Sequence, residues 1–215
     1  MNCLKSYSVF CVGIIIKLVM FLLYPLAVLF FGGLTHLIAI LSGNFVSGLL
    51  SAASTIISAE LLLDMFIYGG ILCKDTNKLE YLKTSHKGIK VLESSLVVDR
   101  IRRWLMTCGL LGIIYLIGNQ GISRLELLSL VFAISGVTEL MLLVSRHITS
   151  ITWMMVVIMI ASAIGAGVGY VALSLPPACV ILFVLLFVGA VVVSKKVISS
   201  KMEAGYYDIK VEKVY

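Results

Sequence analysis

The sequence predicts an all-α membrane protein, a polytopic bundle of about six transmembrane helices with a cytosolic amphipathic loop between the second and third. Composition is the first observation: the 215 residues are 60% hydrophobic and 13% charged, with a mean hydropathy of +1.11. Soluble domains carry about 25% charged residues. Apolar runs long enough to span a bilayer recur along the chain. The third observation is that the basic residues lie almost entirely on alternate connecting segments.

The apolar runs divide the chain into six spans within a single transmembrane domain, 1–215. A helix of about 20 residues crosses a hydrocarbon core of roughly 30 Å. No polar segment is long enough to form a separate soluble domain. The spans lie at about residues 18–41, 46–72, 104–118, 125–144, 151–173 and 178–193, and a polar tail follows at 195–215.

Helix-breaking residues mark several features of these spans. Pro25 predicts a kink in the first span, because proline removes a backbone donor and clashes with the preceding turn. Pro176 and Pro177 separate the fifth span from the sixth. The sixth span is predicted to end at Lys195 and Lys196.

The longest polar stretch is the segment 74–103, which contains eight of the 17 basic residues and has a net charge of +4. Asn77 followed by Glu80 is typical of a capping box, which predicts a short helix. After Gly88, apolar residues recur at helical spacing, so we expect a second amphipathic helix that leads into the third span.

The basic residues predict the topology of the chain. Six spans place both termini and the segment 74–103 on one side of the membrane, together with 16 of the 17 basic residues. Arg124 falls on the other side. The positive-inside rule therefore places both termini and the long segment in the cytosol. The net charge of +6 has the same origin and does not indicate nucleic-acid binding.

Acidic residues within the predicted spans are candidate functional groups. Glu60 and Asp64 lie one turn apart on the second span, and Glu139 lies in the fourth. Acids in hydrocarbon are costly, so they line a transport path or form structural ion pairs. His36, near the outer end of the first span, is a further candidate for the path or a hydrogen-bonded packing residue.

Potential partners for the acids support the ion-pair alternative. Asp64 is close enough to the cytosolic end of its span to pair with Lys74 or with an arginine of the long segment. Glu139 lies about two turns before Arg146. Both alternatives remain open at this stage.

A ridge of small residues marks the fifth span. Ala161, Gly165 and Gly169 are four residues apart, a spacing that lets two helices approach closely. The ridge predicts packing within the chain or, as the alternative, a dimer interface.

Motifs for catalysis are missing from the sequence. It contains no HExxH, no GxSxG and no P-loop, and its five cysteines have no metal-ligand spacing. We therefore expect no catalytic residue, no metal and no cofactor.

The layout resembles the permease subunit of a type-2 ABC exporter, with six spans, cytosolic termini and a long basic loop between spans two and three. The stretch SLVVDRIRRWL at 95–105 is similar to the family's SLPVSR segment before its third span. Val97 replaces the usual proline and Asp99 the usual serine. The resemblance implies that the segment 74–103 contains a coupling helix that docks on a separate ATPase.

The resemblance implies a bacterial cell-membrane exporter that pairs with a second permease copy or paralogue. The P-loop ATPase would be separate, and the substrate a peptide, drug or lipid. One alternative is a membrane scaffold or immunity-type accessory protein. The other is an intramembrane enzyme that uses Glu60, Asp64 or Glu139 as an acid or base. Apolar and aromatic side chains on the short helix are the expected ATPase-docking residues, beside a lysine: Leu79, Tyr81, Leu82 and Lys83.

Overall fold

The computed structural model describes residues 7, 17–41, 45–69, 86–118, 122–148 and 150–212. These ranges are helical apart from short turns and contain no strand, so the predicted all-α polytopic bundle is confirmed. A π-helical turn, Val19–Leu23, leads into an α-helix, and six α-helices have defined bounds within the described ranges. In chain order they are α1 Tyr24–Leu41, α2 Phe45–Tyr68, α3 His86–Gly118, α4 Arg124–Ser145, α5 Ile151–Ser174 and α6 Val180–Glu212.

Four of these helices are long and apolar enough to cross a membrane, as a multi-pass membrane protein requires. The candidate membrane spans lie in α2, α4, α5 and α6. A shorter apolar helical stretch is Val19–Thr35. Helix α3 does not belong to this group, because its first half carries several charged residues. Its second half is apolar and exposes Leu116 and Ile117.

Helices α2 and α4 form the centre of the bundle. Helix α2 packs against α1, α3, α4 and α5, and α4 packs against α2, α3, α5 and α6. The apolar span of α4 is 61% buried, whereas that of α6 is 17% buried. The faces of α5 and α6 that point outward carry large apolar side chains such as Met159 and Leu185, as expected of helices surrounded by lipid.

Close helix contacts occur where glycine or alanine faces a neighbouring helix. Ala161 is fully buried, and a Cβ atom at Gly165 would overlap Ile57 of α2. A Cβ atom at Gly169 would lie 2.8 Å from Leu50, also on α2. The small-residue ridge of α5 therefore packs on α2 of the same chain, as its spacing allows.

Several helix boundaries differ from those predicted. Helix α2 ends at Tyr68, and residues 70–72 of the predicted second span lie outside the described ranges. Helix α3 is continuous from His86 to Gly118, so the predicted amphipathic helix and the third span form a single element. Helix α6 continues through Lys195 and Lys196, whose exposed side chains do not interrupt the backbone hydrogen bonding.

The proline signals have local structural counterparts. The irregular turn Val19–Leu23 ends two residues before Pro25, whose missing N–H disturbs regular α-helical bonding with the preceding turn. Pro177 begins a 3-10 turn, Pro177–Cys179, that separates α5 from α6. Helix α4 begins with a capping box in which Ser123 and Glu126 bond each other's backbone N–H groups.

Candidate functional site

Eight charged side chains meet inside the bundle and form what we call the charge cluster. Four carboxylates and four guanidinium groups give it no net formal charge. Helix α2 contributes two members, α3 four, and α4 with its C-terminal cap two. The members are Glu60, Asp64, Asp99, Arg100, Arg102, Arg103, Glu139 and Arg146.

Arg102 joins α3 to α2. Its Nη2 donates to Glu60 Oε2 at 2.7 Å and its Nη1 donates to Glu60 Oε1 at 3.3 Å. The guanidinium therefore binds both carboxylate oxygens in a bidentate ion pair. Its Nε also donates to Asp99 Oδ1 at 3.0 Å, one turn back on α3. Bidentate pairs of this kind restrict the relative orientation of the two side chains more strongly than a single contact between charges.

Arg103 joins three helices. Its Nη1 donates to Asp99 Oδ2 at 2.6 Å and to Asp64 Oδ1 on α2 at 3.2 Å. Its Nη2 donates to Glu139 Oε1 on α4 at 3.0 Å. Asp99 orients both Arg102 and Arg103, because it lies three and four residues before them on the same helix face.

Arg146 binds the other side of Asp64. Its Nε donates to Asp64 Oδ2 at 2.9 Å, and its guanidinium lies 5.4 Å from the centre of the Tyr68 ring. The Tyr68 hydroxyl is 2.6 Å from Ser95 Oγ on α3. The end of α2 is therefore held by both α3 and the cap of α4.

Arg100 extends the cluster towards α6. Its Nε lies 3.1 Å from Glu139 Oε2, and its Nη2 donates to Ser194 Oγ on α6 at 3.2 Å. The charge cluster thus connects α2, α3, α4 and α6 at the end of the bundle where α2 and α4 finish.

Burial determines the electrostatics of these groups. Glu60 is 1% exposed and Arg146 is fully buried. Burial raises the pKa of Asp99, which lies outside the four apolar spans, but Arg103 and Arg102 outweigh it and hold this pKa below its ordinary value. Removing one partner of such a pair leaves an uncompensated charge in a medium that solvates it poorly.

The three acids expected from the sequence, Glu60, Asp64 and Glu139, come together in this cluster. Asp64 pairs with Arg103 and Arg146, one of which belongs to the segment 74–103. Glu139 pairs with Arg100 and Arg103 and not with Arg146, because the side chain of Arg146 is directed to Asp64.

The other predicted site residues are separate from this cluster. The ridge of Ala161, Gly165 and Gly169 lies on α5 against α2. His36 belongs to α1, but its side chain lies outside the described part of the chain. The expected docking residues lie outside it entirely: Leu79, Tyr81, Leu82 and Lys83.

The cluster members from α3 were not identified as a site from the sequence. Asp99, Arg102 and Arg103 were assigned to a polar cytosolic segment, yet all three are buried. The pattern DRIRR did contain a signal, because its acid is spaced three and four residues before two arginines. Acids in apolar spans also need counter-charges, and these are the nearest arginines at the start of the third span.

The arrangement is suited to joining helices more than to proton transfer. Glu60, Asp64 and Glu139 each accept from at least one guanidinium group. An acid-base role would first require an ion pair to break.

Comparison with protein-family models, curated proteins and solved structures finds no match for this chain.

Proposed function

We propose that the chain is the membrane-spanning permease subunit of an ABC-type exporter in a bacterial cell membrane. A separate P-loop ATPase would supply the energy, and a second permease copy or paralogue would complete the transporter. In this proposal both termini and the segment 74–103 face the cytosol, as the positive-inside rule implies. The substrate would be an amphiphile such as a peptide, drug or lipid.

The observation that carries this proposal is the continuity of α3. Its 33 residues give a length of about 50 Å, which exceeds the roughly 30 Å of a hydrocarbon core. Its first half packs Leu92 and Leu96 near Tyr68 at the end of α2 and Ile198 of α6. The charge cluster follows on the same helix. A force applied to the preceding polar segment would therefore reach α2 and α4 through a single rigid element.

This geometry supports a subunit that receives motion from a partner. The charges on α3 restrain it against α2 and α4 through ion pairs at defined distances. A displacement of α3 would move or break those pairs together. The continuity of α3 supports this proposal, because coupling between sites is carried by rigid elements and by networks of ion pairs.

A membrane scaffold or immunity-type accessory protein is the second candidate. The ion pairing of Glu60, Asp64 and Glu139 favours it, because a charge-balanced bundle needs no transport path. An intramembrane enzyme has less support, since its candidate acids are engaged in ion pairs.

Purification from native membranes distinguishes the two candidates. The tagged chain is isolated in mild detergent, and ATP hydrolysis by the purified complex is measured. A permease should copurify with a P-loop ATPase in near-stoichiometric amount and hydrolyse ATP. A scaffold would yield a complex without such a subunit, and that result would reject the transport proposal.

A further inference from the structure

A small polar cavity lies between α3, α4 and α6, next to the charge cluster. Its volume is about 10 Å³, and its walls include Arg103, Trp104, Ser135, Glu139 and Phe187. Room of this size is about what a single water molecule requires. The cavity is thus too small for a substrate and large enough for one solvent molecule.

Five buried polar atoms of the cavity-lining residues have no hydrogen-bonding partner within the described ranges. Two of them, Arg100 Nε and Glu139 Oε2, face each other at 3.1 Å as an ion pair. The other three are Arg103 Nε, Trp104 Nε1 and Ser135 Oγ. Arg103 is 4% exposed and Ser135 is 6% exposed. Buried polar groups are nearly always paired in folded proteins, so three such atoms around one cavity indicate a bound partner.

The chemistry of the walls specifies that partner. Arg103 Nε and Trp104 Nε1 are donors and need an acceptor, whereas Glu139 Oε2 can only accept. Ser135 Oγ can do either. Glu139 Oε2 already lies 3.1 Å from Arg100 Nε, but a carboxylate oxygen has a second lone pair. The occupant must therefore both accept and donate.

Charge excludes a small anion from this position. The neighbouring cluster has as many carboxylates as guanidinium groups, and the carboxylate of Glu139 forms part of the wall. An anion would add an uncompensated charge there. We propose that the cavity is a binding site for one structural water, which accepts from Arg103 and Trp104 and donates to Ser135 and Glu139.

The proposed water has a role in the cluster. It solvates the Arg103–Glu139 ion pair, which lowers the cost of keeping those charges away from bulk solvent. Aromatic rings flank the site: Trp104 lies 6.3 Å from Phe132, which lies 5.9 Å from Phe187 on α6. The water therefore connects α3 to α4 where direct hydrogen bonds between Trp104 and Ser135 are missing.

Trp104 provides a spectroscopic test, because the chain contains two tryptophans. Trp153→Phe leaves Trp104 as the fluorescent tryptophan. Ser135→Val in that background fills the cavity and displaces the water. We expect Trp104 emission to move to shorter wavelength, since the indole N–H loses its polar partner. Ser129→Val on the same helix is the control, because Ser129 Oγ bonds Leu125 O of its own helix.

An emission maximum at the same wavelength in the Ser135→Val protein and its parent would overturn the proposal. An equal wavelength shift in the Ser129→Val control would also overturn it. If Ser135→Val fails to fold, a high-resolution structure of the unmodified chain provides the test. Density for a water within hydrogen-bonding distance of Trp104 Nε1 and Ser135 Oγ supports the site. A lipid, detergent or protein atom at that position contradicts it.

Discussion

Arg102 on α3 and Glu60 on α2 form a bidentate ion pair inside the bundle, with N–O distances of 2.7 Å for Nη2–Oε2 and 3.3 Å for Nη1–Oε1. The pair connects α3, whose first half forms part of the segment 74–103, to one of the two central helices. Bulk water does not solvate either charged group in place of its partner, because Glu60 is 1% exposed and Arg102 is 8% exposed. The pair is therefore a buried ionic contact between the polar half of α3 and the membrane-spanning helix α2.

The Arg102–Glu60 pair should be more costly to break than to replace. Arg102→Ala leaves Glu60 buried without its main counter-charge, and we expect a loss of about 3–5 kcal/mol of stability. Arg102→Met with Glu60→Met removes both charges and should recover much of that loss. Thermal unfolding in detergent, followed by size-exclusion chromatography, measures the difference. A double variant that is less stable than Arg102→Ala would contradict this interpretation.

Glu139 tests the choice between a transport path and an ion-pair role. Glu139→Gln removes the negative charge shared by Arg100 and Arg103, and we expect a loss of roughly 1.5–3 kcal/mol. Glu126→Gln is the control, because it makes the same change at the exposed capping box of α4, where glutamine also fits. A Glu139→Gln protein of unchanged stability but reduced export would instead favour the transport-path role.

The close approach of α5 to α2 gives a prediction with an internal control. Gly165→Leu should destabilise the bundle by about 1–3 kcal/mol, because the new side chain meets Ile57. Gly167→Leu should change stability little, since a Cβ atom there has no neighbour within 4 Å. Both are compared by thermal unfolding in the same detergent. Equal stability of the two variants would show that α5 does not pack on α2 as described.

Residue accessibility tests the proposed topology. In a background without the five native cysteines, Asn119→Cys or Gln120→Cys should react with an impermeant reagent applied to intact cells. Lys83→Cys should react only after permeabilisation. The reason is the placement of 16 of the 17 basic residues on one predicted side. The reverse accessibility would invalidate the orientation.

Sequence reasoning captured the helical class and most helix positions because apolar runs and turn residues are local signals. Helix α4, for example, differs by one residue at each end from the predicted 125–144. The same reasoning identified Glu60, Asp64 and Glu139, because an acid in an apolar span is conspicuous. It also offered Lys74 or an arginine of the following polar segment as a partner for Asp64, and Arg103 is such an arginine.

The composition of the charge cluster could not be read in this way. Asp99, Arg102 and Arg103 lie in a polar stretch, where the default expectation is exposure to solvent. Their burial depends on acids that approach from α2 and α4, some 36 to 42 residues away in sequence. The contact of Gly136 with Leu186 of α6 is equally non-local, since no spacing pattern marks that glycine.

We propose that this chain works with a separate ATPase through the polar segment before α3. The most direct measurement is the amount of P-loop ATPase that copurifies with the chain after Tyr81→Ala and Leu82→Ala. Tyr206→Ala with Tyr207→Ala in the C-terminal tail is the matched control, and charge reversal at Lys83 and Lys87 tests attachment to anionic lipid. We predict that the Tyr81 and Leu82 changes reduce copurified ATPase and export together while membrane insertion stays normal. Full retention of both, with lipid-vesicle binding of the segment lost on charge reversal, would contradict the ATPase-docking account.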